Sequence, residues 1–570
     1  MGVAGLARRL EPYCTRIAAA DLSGYKAIVD GPSLAYHAQK LAITDNLKNR
    51  QAHVPSYADI NRQALRWLRA LEDINIKVVA ILFDGALPAA KIDERLARLN
   101  HSNSRVRLFR TQYPSASCPI PSSLGTVSYP LLAPALREAL SDSEFASATR
   151  LVPGEADDWC MPYTYDATHS VIFSSDSDLL LYEYDAECRI MLFDNVQLWP
   201  EPKFKGYSPV KIRQSLGLSS LLPLAYCLTL DKHMTFNALV ESANGVNVES
   251  SDYLDFSWRY EGPEEWEADP RSQLSVVPQH LDNRLSEFIS QITGEITTPV
   301  VYLPLLVEDP HAASAWSMGH DIRLLAYSLF TEMDAPPRSF LRPHKKKHRH
   351  TVEEYRRKAE AVSVHQVKLY NPSEMPIAAA EMANNISNWI QWMTARQAPQ
   401  DLVWPLVAAN LILLELPKAP TISSFIRVLT GRFDNSWDFV HLTARLHAAL
   451  YSLRMLKQCV DMWIYQYQNS SAEPRQHMDT LNRHLVDMPT ISDLFLIPGQ
   501  ARKTHVDEKL LKELLEDIYA SAKIEVPSEN ISNRKLKKKQ NAEKKERRTI
   551  EMKAEAGRSF NVFDLLNRET

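Results

Sequence analysis

Along the first 240 residues, short and wholly apolar runs alternate with longer stretches of helical spacing. Ala27-Ile28-Val29, Val78 to Phe83 and Val171 to Phe173 contain no polar position, as expected of strands buried on both faces. Ser33 to Ala42 and Tyr57 to Glu72 repeat apolar residues at helical intervals, so the region reads as βαβ units around a mainly parallel sheet. Arg189 to Phe193 reads as a later strand, and Ser208 to Leu216 and Leu221 to Leu230 read as helices. From Pro376 the pattern turns helical. Ile377 to Met393, Leu402 to Leu416 and Phe439 to Tyr467 carry broad apolar faces with Trp, Met and Leu, which predicts a packed helical domain.

The polar residues that end the apolar runs are carboxylates. Asp30 closes the first run, Asp84 the second, and Asp176 with Asp178 follows the third. Glu155 and Asp157 open Gly154-Glu-Ala-Asp-Asp-Trp, and Asp231 follows the stretch from Leu221 to Leu230. Taken singly, an Asp after a strand is often a helix cap or a turn residue. Independent capping does not account for the whole set. Ligands of open parallel sheets gather at the carboxyl ends of the strands, and carboxylates crowded there repel one another unless cations hold them. Hard cations such as Mg²⁺ take oxygen ligands, and two of them can drive phosphodiester hydrolysis. The pattern points to a metal-dependent nuclease.

Several segments resemble the flap endonuclease/XPG superfamily. Met1-Gly-Val-Ala-Gly-Leu-Ala-Arg-Arg-Leu is similar to its N-terminal motif, Val29-Asp-Gly-Pro-Ser-Leu-Ala-Tyr36 to its first metal motif, and Leu82-Phe-Asp-Gly-Ala-Leu-Pro-Ala-Ala-Lys91 to its second. Gly154-Glu-Ala-Asp-Asp158 resembles the Gly-Glu-Ala-Glu-Ala signature, with Asp157 in place of the second Glu, and Ser175-Asp-Ser-Asp-Leu-Leu180 resembles the Asp-x-Asp motif. The resemblance covers about residues 1 to 240. Within the superfamily, an XPG-like core followed by a long helical region looks most like the Asteroid-type branch. The implied fold is α/β, a PIN-like/XPG nuclease core around a central, mainly parallel sheet, with a C-terminal helical domain and a basic tail.

The resemblance implies that Asp30, Asp84, Glu155, Asp157, Asp176, Asp178 and Asp231 are metal ligands or their immediate neighbours, for Mg²⁺ or Mn²⁺ and for two ions. It implies that Lys91 and Arg98 steer the scissile phosphate from a helical gateway, that Gly2 lies near the site, and that Tyr36 stacks on an unpaired base. Lys91, Arg95 and Arg98 recur at i, i+4 and i+7, which puts three cations along one helix face. Where the family has a glycine-containing helical hairpin after the last carboxylate, this chain reads Asp231-Lys-His-Met-Thr with no Gly before Gly245. That hairpin, which binds duplex DNA through exposed backbone amides, is expected to be absent or altered.

Composition narrows the classes. The chain has 570 residues, 45% hydrophobic and 24% charged, with net charge −4, so basic character is local rather than global. Six scattered cysteines without a Cys-x-x-Cys pair argue against a disulfide framework or zinc knuckle. The longest apolar candidate, Leu402 to Leu416, is too short to span a bilayer and contains Pro405, and no membrane association is expected. Arg342-Pro-His-Lys345-Lys346-Lys347-His-Arg-His350 reads as an exposed basic loop suited to phosphate contact or nuclear import. Arg534 to Arg548 holds nine Lys/Arg and two Glu, which suits a solvated or disordered tail. Phe560 to Leu566 reads as a short amphipathic segment for docking a protein partner.

The expected division is an XPG N-terminal region over 1–98, an arch or gateway insertion over 99–150 and an XPG internal region over 151–242. A variable region with the basic loop follows over 243–375, then a helical domain over 376–524 and the basic tail over 525–570. The function expected is a structure-specific DNA endonuclease of DNA repair or processing. It would act in the nucleus, with or without a cytoplasmic pool, on DNA with single-stranded or flap features. Two alternatives remain open: an RNA nuclease using the same chemistry, and a catalytically inactive XPG-like scaffold in post-transcriptional regulation.

Overall fold

The computed structural model describes residues 2–48, 54–88, 91–114, 117–165, 168–260, 279–293, 296, 298–330, 350–416, 418–467, 473–502 and 507–528. Its strands are β1 (Thr15–Ile17), β2 (Lys26–Asp30), β3 (Lys77–Phe83), β4 (Thr149–Leu151), β5 (Ser170–Ser174), β6 (Arg189–Leu192), β7 (Val196–Gln197), β8 (Lys203–Gly206), β9 (Val300–Tyr302), β10 (Thr351–Lys358) and β11 (Ala361–Lys368). Five of them form the central sheet in the order β4-β3-β2-β5-β6, with every pair parallel. The chain builds outward from β2 to β3 and β4, then returns to the other side of β2 for β5 and β6. The order therefore reverses between β2 and β5, and a crevice opens at the carboxyl ends of strands at such a switch point.

The sheet is held by helices on both faces. Gly31–Lys48 and Tyr57–Asp73 pack on one side, and the second starts with a capping box. There the Ser56 side chain accepts from the Asp59 amide at 3.0 Å, while the Asp59 carboxylate accepts from the Ser56 amide at 2.9 Å. On this side the core is continuous with the helical region. Val29, Phe173 and Trp67 share one cluster of buried residues with Leu402, Leu453 and Tyr519. At the centre of that region is the helix Trp437–Gln466, flanked by His320–Ser328, Gln400–Glu415 and Glu473–Leu485, with Glu374–Ala395 and Glu508–Ser521 packed outside them. Polar contacts tie the two parts together: Asn61 Nδ2 donates to Ser492 Oγ at 3.0 Å, and the Ile491 amide donates to Glu138 Oε2 at 2.8 Å.

Between core and helices lies a sheet that the hydrophobic pattern does not announce, in which β9 runs parallel to β10 and β10 forms a hairpin with β11. Two of the inward positions on β10 are the charged residues Glu354 and Arg357, both buried, and the tight turn contains Ala359 at φ 51° instead of glycine. Each charge has a buried partner. Arg323 Nε donates to Glu354 Oε1 at 2.6 Å, with Tyr327 and Ser452 closing the network, and Arg357 Nε donates to Glu308 Oε1 at 2.6 Å. Removing one member of a buried pair strands the other charge, which costs about 3–5 kcal/mol. Glu354→Leu is therefore expected to lower the melting temperature by calorimetry, and the double change Arg323→Met/Glu354→Leu to recover most of the loss.

Among the described residues no disulfide joins the cysteines, and no helix is long and apolar enough to cross a membrane. Lys345, Lys346 and Lys347, most of the tail and its Phe560 to Leu566 segment lie outside the described residues.

Candidate metal centre

Strand register brings the carboxylates to one edge. Asp30 is the last residue of β2 and pairs in register with Leu82, two residues before Asp84, while Val29 pairs with Phe173, three residues before Asp176. Asp30 is only 5% exposed, and hydroxyls hold it in place. Ser33 donates its amide to Oδ1 at 3.0 Å and its hydroxyl to Oδ2 at 2.6 Å, and Ser174 donates its hydroxyl to Oδ2 at 2.6 Å. Gly31 allows the close approach of β3, since a Cβ there would lie 2.7 Å from the Leu82 carbonyl.

The second group is stapled to the first by backbone. The Gly85 amide donates to the Gly154 carbonyl at 2.9 Å, and the Ala156 amide donates to Asp84 Oδ1 at 2.8 Å. Glu155 is thereby fixed as the N-cap of the short helix Ala156–Cys160, whose first turn supplies Asp157 and Asp158 and whose Trp159 and Cys160 are buried. Ligand oxygens of Glu155, Asp157 and Asp158 all lie within 4.8 Å of one another.

The third group forms the turn after β5. Asp176 Oδ1 accepts from the Asp178 amide at 2.9 Å, and the Asp176 amide donates to Ser174 Oγ at 3.0 Å, which links it to Asp30. Asp178 has a donor on each oxygen: the Val3 amide on Oδ1 at 2.6 Å and the Tyr260 hydroxyl on Oδ2 at 2.7 Å. Gly2 packs directly on this turn. A Cβ built there would lie 2.5 Å from Asp176 Oδ1 and closer still to Asp178 Oδ1. Gly2→Ala must therefore displace both carboxylates, and we expect it to weaken divalent-ion binding by at least about tenfold in titration calorimetry, with little change in helix content.

Burial dominates the electrostatics. Loss of solvent lifts Asp30 and Asp178 to about 6 and Asp84 and Glu155 to about 7, and moves Asp158 and Asp176 in the same direction. Neighbouring negative charge adds to this, and Asp157 acts on Asp30, Asp84, Glu155, Asp158 and Asp176 alike. Lys91 provides partial compensation through an ion pair with Glu155 and a 4.0 Å approach to Asp157. An all-oxygen, carboxylate-rich cleft with more negative charge than one lysine balances suits a hard divalent cation.

Other expected residues lie elsewhere or are engaged differently. Lys91 is the N-cap of the helix Ile92–Gln112, but the basic face expected beyond it is not free: Arg95 pairs with the buried Glu287 at 3.0 Å, and Arg98 pairs with Glu94 one turn earlier. Farther along, Arg107 meets Glu360 at 2.9 Å, Arg110 meets Asp309 at 3.0 Å, and Val106 and Phe109 share a small core with Trp437 and Val440. The helix docks on the second half of the chain, and its cations do much of the docking. Tyr36 stands 53% exposed on the helix Gly31–Lys48.

Asp231 is exposed at the end of the helix Leu222–Leu230, where its Oδ1 accepts from the His233 amide at 2.8 Å, the contact of a turn-forming Asp. A helical hairpin does follow, made by this helix and Phe236–Asn244; glycine is missing only from its turn. Sequence reasoning passed over Asp158, the hydroxyls of Ser33 and Ser174, and the phenols of Tyr182 and Tyr260. Tyr182 donates to Asp158 Oδ1 at 2.7 Å. A second carboxylate beside Asp157 was the one available signal. The tyrosines, 24 and 82 residues from the carboxylates they touch, leave no local trace.

Residues 128–369 match the family model described as XPG domain containing. No curated protein matches the chain. Among solved structures, human GEN1 in complex with Holliday junction DNA is 17% identical with a TM-score of 0.31, over 51% of this chain and 73% of that one. The catalytic core of Rad2 in complex with DNA substrate (complex III) is 18% identical with a TM-score of 0.27, over 53% of this chain and 90% of that one. The family match spans the segment that supplies Glu155, Asp157, Asp176, Asp178 and Asp231, so this part of the chain, with the outer half of the central parallel sheet, is similar to an XPG domain.

Proposed function

We propose that the chain is a metal-dependent, structure-specific DNA endonuclease. The observation that carries the reading is the convergence of Asp30, Asp84, Glu155, Asp157, Asp176 and Asp178 on one edge of the sheet, beside Lys91. These residues would hold Mg²⁺ or Mn²⁺, in a site with room in its ligand count for two ions, and Asp231 would act at its periphery. Bound ions would supply Lewis-acid polarisation of the phosphodiester and a nucleophile available at neutral pH.

The chain's own groups do the rest. Hydroxyls from Ser33 and Ser174 fix the Asp30 carboxylate, and the Ala156 amide fixes Asp84, so the anionic wall needs little rearrangement when substrate arrives. Lys91 can exchange Glu155 for the scissile phosphate, and Arg98 can leave Glu94 for the same purpose. The pair of Arg98 with Glu94 is partly solvated, and such pairs cost little to break. The exposed ring of Tyr36 would stack on an unpaired base.

A turn without glycine after Asp231, with one amide already taken by the Asp231 carboxylate, should clamp duplex DNA less well than a glycine turn. We therefore expect weaker dependence on a duplex arm and better action on single-stranded or splayed ends, in a nuclear repair or processing role. The layout also fits the Asteroid-type branch. The test is cleavage of matched flap, splayed, single-stranded and RNA substrates with Mg²⁺ or Mn²⁺. Cleavage of splayed and single-stranded DNA is expected. Cleavage of RNA alone would make it an RNA nuclease, and cleavage of none would favour the scaffold reading.

A further inference from the structure

The turn Trp258–Tyr260 closes the side of the metal centre that Asp178 forms, and it faces two ways. The helix before it, Ser251–Ser257, buries Tyr253 and Phe256 against Tyr226, with ring centroids 5.4 and 5.5 Å away. Tyr260 continues that inward line, 5.4 Å from the Phe256 ring and 6.1 Å from the Tyr182 ring, and its hydroxyl donates to Asp178 Oδ2. Trp258 breaks the line. Two residues before a group that touches a carboxylate of the cleft, its indole is 70% exposed, and the neighbouring Arg259 is exposed as well.

An exposed Trp normally costs free energy, because a large apolar ring stays in water. Here the ring sits on a segment fixed at both ends, by the buried Tyr253 and Phe256 on one side and by Asp178 on the other, so little order is lost when a flat partner docks. The charge of Arg259 is near enough to act on the Tyr260 phenol. An exposed flat apolar ring and an exposed cation, neighbours in sequence and one or two residues from a group that touches a carboxylate of the cleft, match one occupant: a nucleobase with its phosphate on a single strand.

We propose that Trp258 and Arg259 form a base-binding subsite for a single-stranded DNA end, with Tyr260 tying that subsite to the metal ligand Asp178. The inference rests on the nuclease reading for its substrate, but its test does not need turnover. Oligodeoxynucleotides carrying 2-aminopurine at successive positions are titrated with the full chain in Ca²⁺ and in EDTA, and fluorescence quenching reports stacking. One position near the bound end is expected to quench. Trp258→Ala should abolish that quench and weaken binding by about five- to a hundredfold, while Trp258→Phe keeps most of both and Arg259→Ala weakens binding with a smaller salt dependence.

Because the indole is exposed, the melting temperature of Trp258→Ala should match the parent. Quenching and affinity unchanged in Trp258→Ala would overturn the subsite, as would the absence of quenching at every position in the parent. A chain that stacks the base but cleaves nothing would sink the nuclease reading and leave the subsite standing.

Discussion

Asp176→Ala is expected to lower metal-dependent cleavage at least about a hundredfold while the purified variant keeps the parent's fold. Asp176 sits on the turn after β5, joined through Ser174 to Asp30 and through its own Oδ1 to the Asp178 amide, so the change would remove one of the proposed ligands and loosen another. Stability should respond in a different way. Asp176 is half-buried among like charges, with Asp157 raising its pKa, and deleting one charge relieves repulsion in the metal-free chain. Alanine also loses the cap on the Asp178 amide, worth about 1 kcal/mol, whereas asparagine keeps it. Asp176→Asn should therefore melt above the parent without metal and below it with saturating Mn²⁺. Cleavage by purified Asp176→Ala at the parent's rate would remove this cleft from the chemistry.

The second large effect is the pH dependence of metal-induced stabilisation. Asp30, Asp84, Glu155 and Asp178 have folded pKa values of about 6 to 7, raised above unfolded values of about 4. An acid whose pKa is raised by folding contributes stability that is fully present below the unfolded pKa and is lost as pH rises through the folded one. The metal-free cleft is thus increasingly strained between about pH 4 and pH 7, and a divalent ion relieves that strain while competing with protons.

The rise in melting temperature with Mg²⁺ or Mn²⁺ should be small at pH 5 and large at pH 8, where the stabilisation approaches about 2.7 kcal/mol at a hundredfold excess over Kd. The difference between metal-loaded and metal-free samples is the quantity to follow. The buried His441 and the half-buried His447, both pushed down to about 3 by loss of solvent, add an opposite slope to each sample: their contribution is present above about pH 6.5 and is lost as pH falls. A metal-induced shift that does not change with pH would contradict the carboxylate assignment.

Elements that obey a single physical rule were legible in the sequence. β2, β3 and β5 are buried on both faces, so each reads as a bare apolar run, and the residue that ends each run must emerge at the sheet edge. That is why Asp30, Asp84 and Asp176 could be placed together without coordinates. The long helices from Glu374 onward were legible for the same kind of reason, since each carries a broad apolar face.

Opposed charges hid the rest. On β10 the inward positions include Glu354 and Arg357, which imitate a solvated segment because their partners, Arg323 and Glu308, lie tens of residues away. The basic face at Arg95 and Arg98 misled in the opposite direction. Its cations are engaged in the fold: Arg95 by Glu287, from a helix almost two hundred residues later, and Arg98 by Glu94, one turn earlier on its own helix. Asp231 shows the limit of position alone: it follows a helix, as its apolar run predicts, and that helix ends in solvent.

The most direct test of the central claim is a crystal structure of the chain grown with Mn²⁺, with data collected at the manganese absorption edge. One or two anomalous peaks are expected inside the cleft, coordinated by carboxylate oxygens from Asp30, Asp84, Glu155, Asp157, Asp176 or Asp178, with the Lys91 ammonium drawn away from Glu155. A cleft with no peak at millimolar Mn²⁺ and Lys91 still paired with Glu155 would show that these carboxylates hold the fold together rather than a catalytic ion.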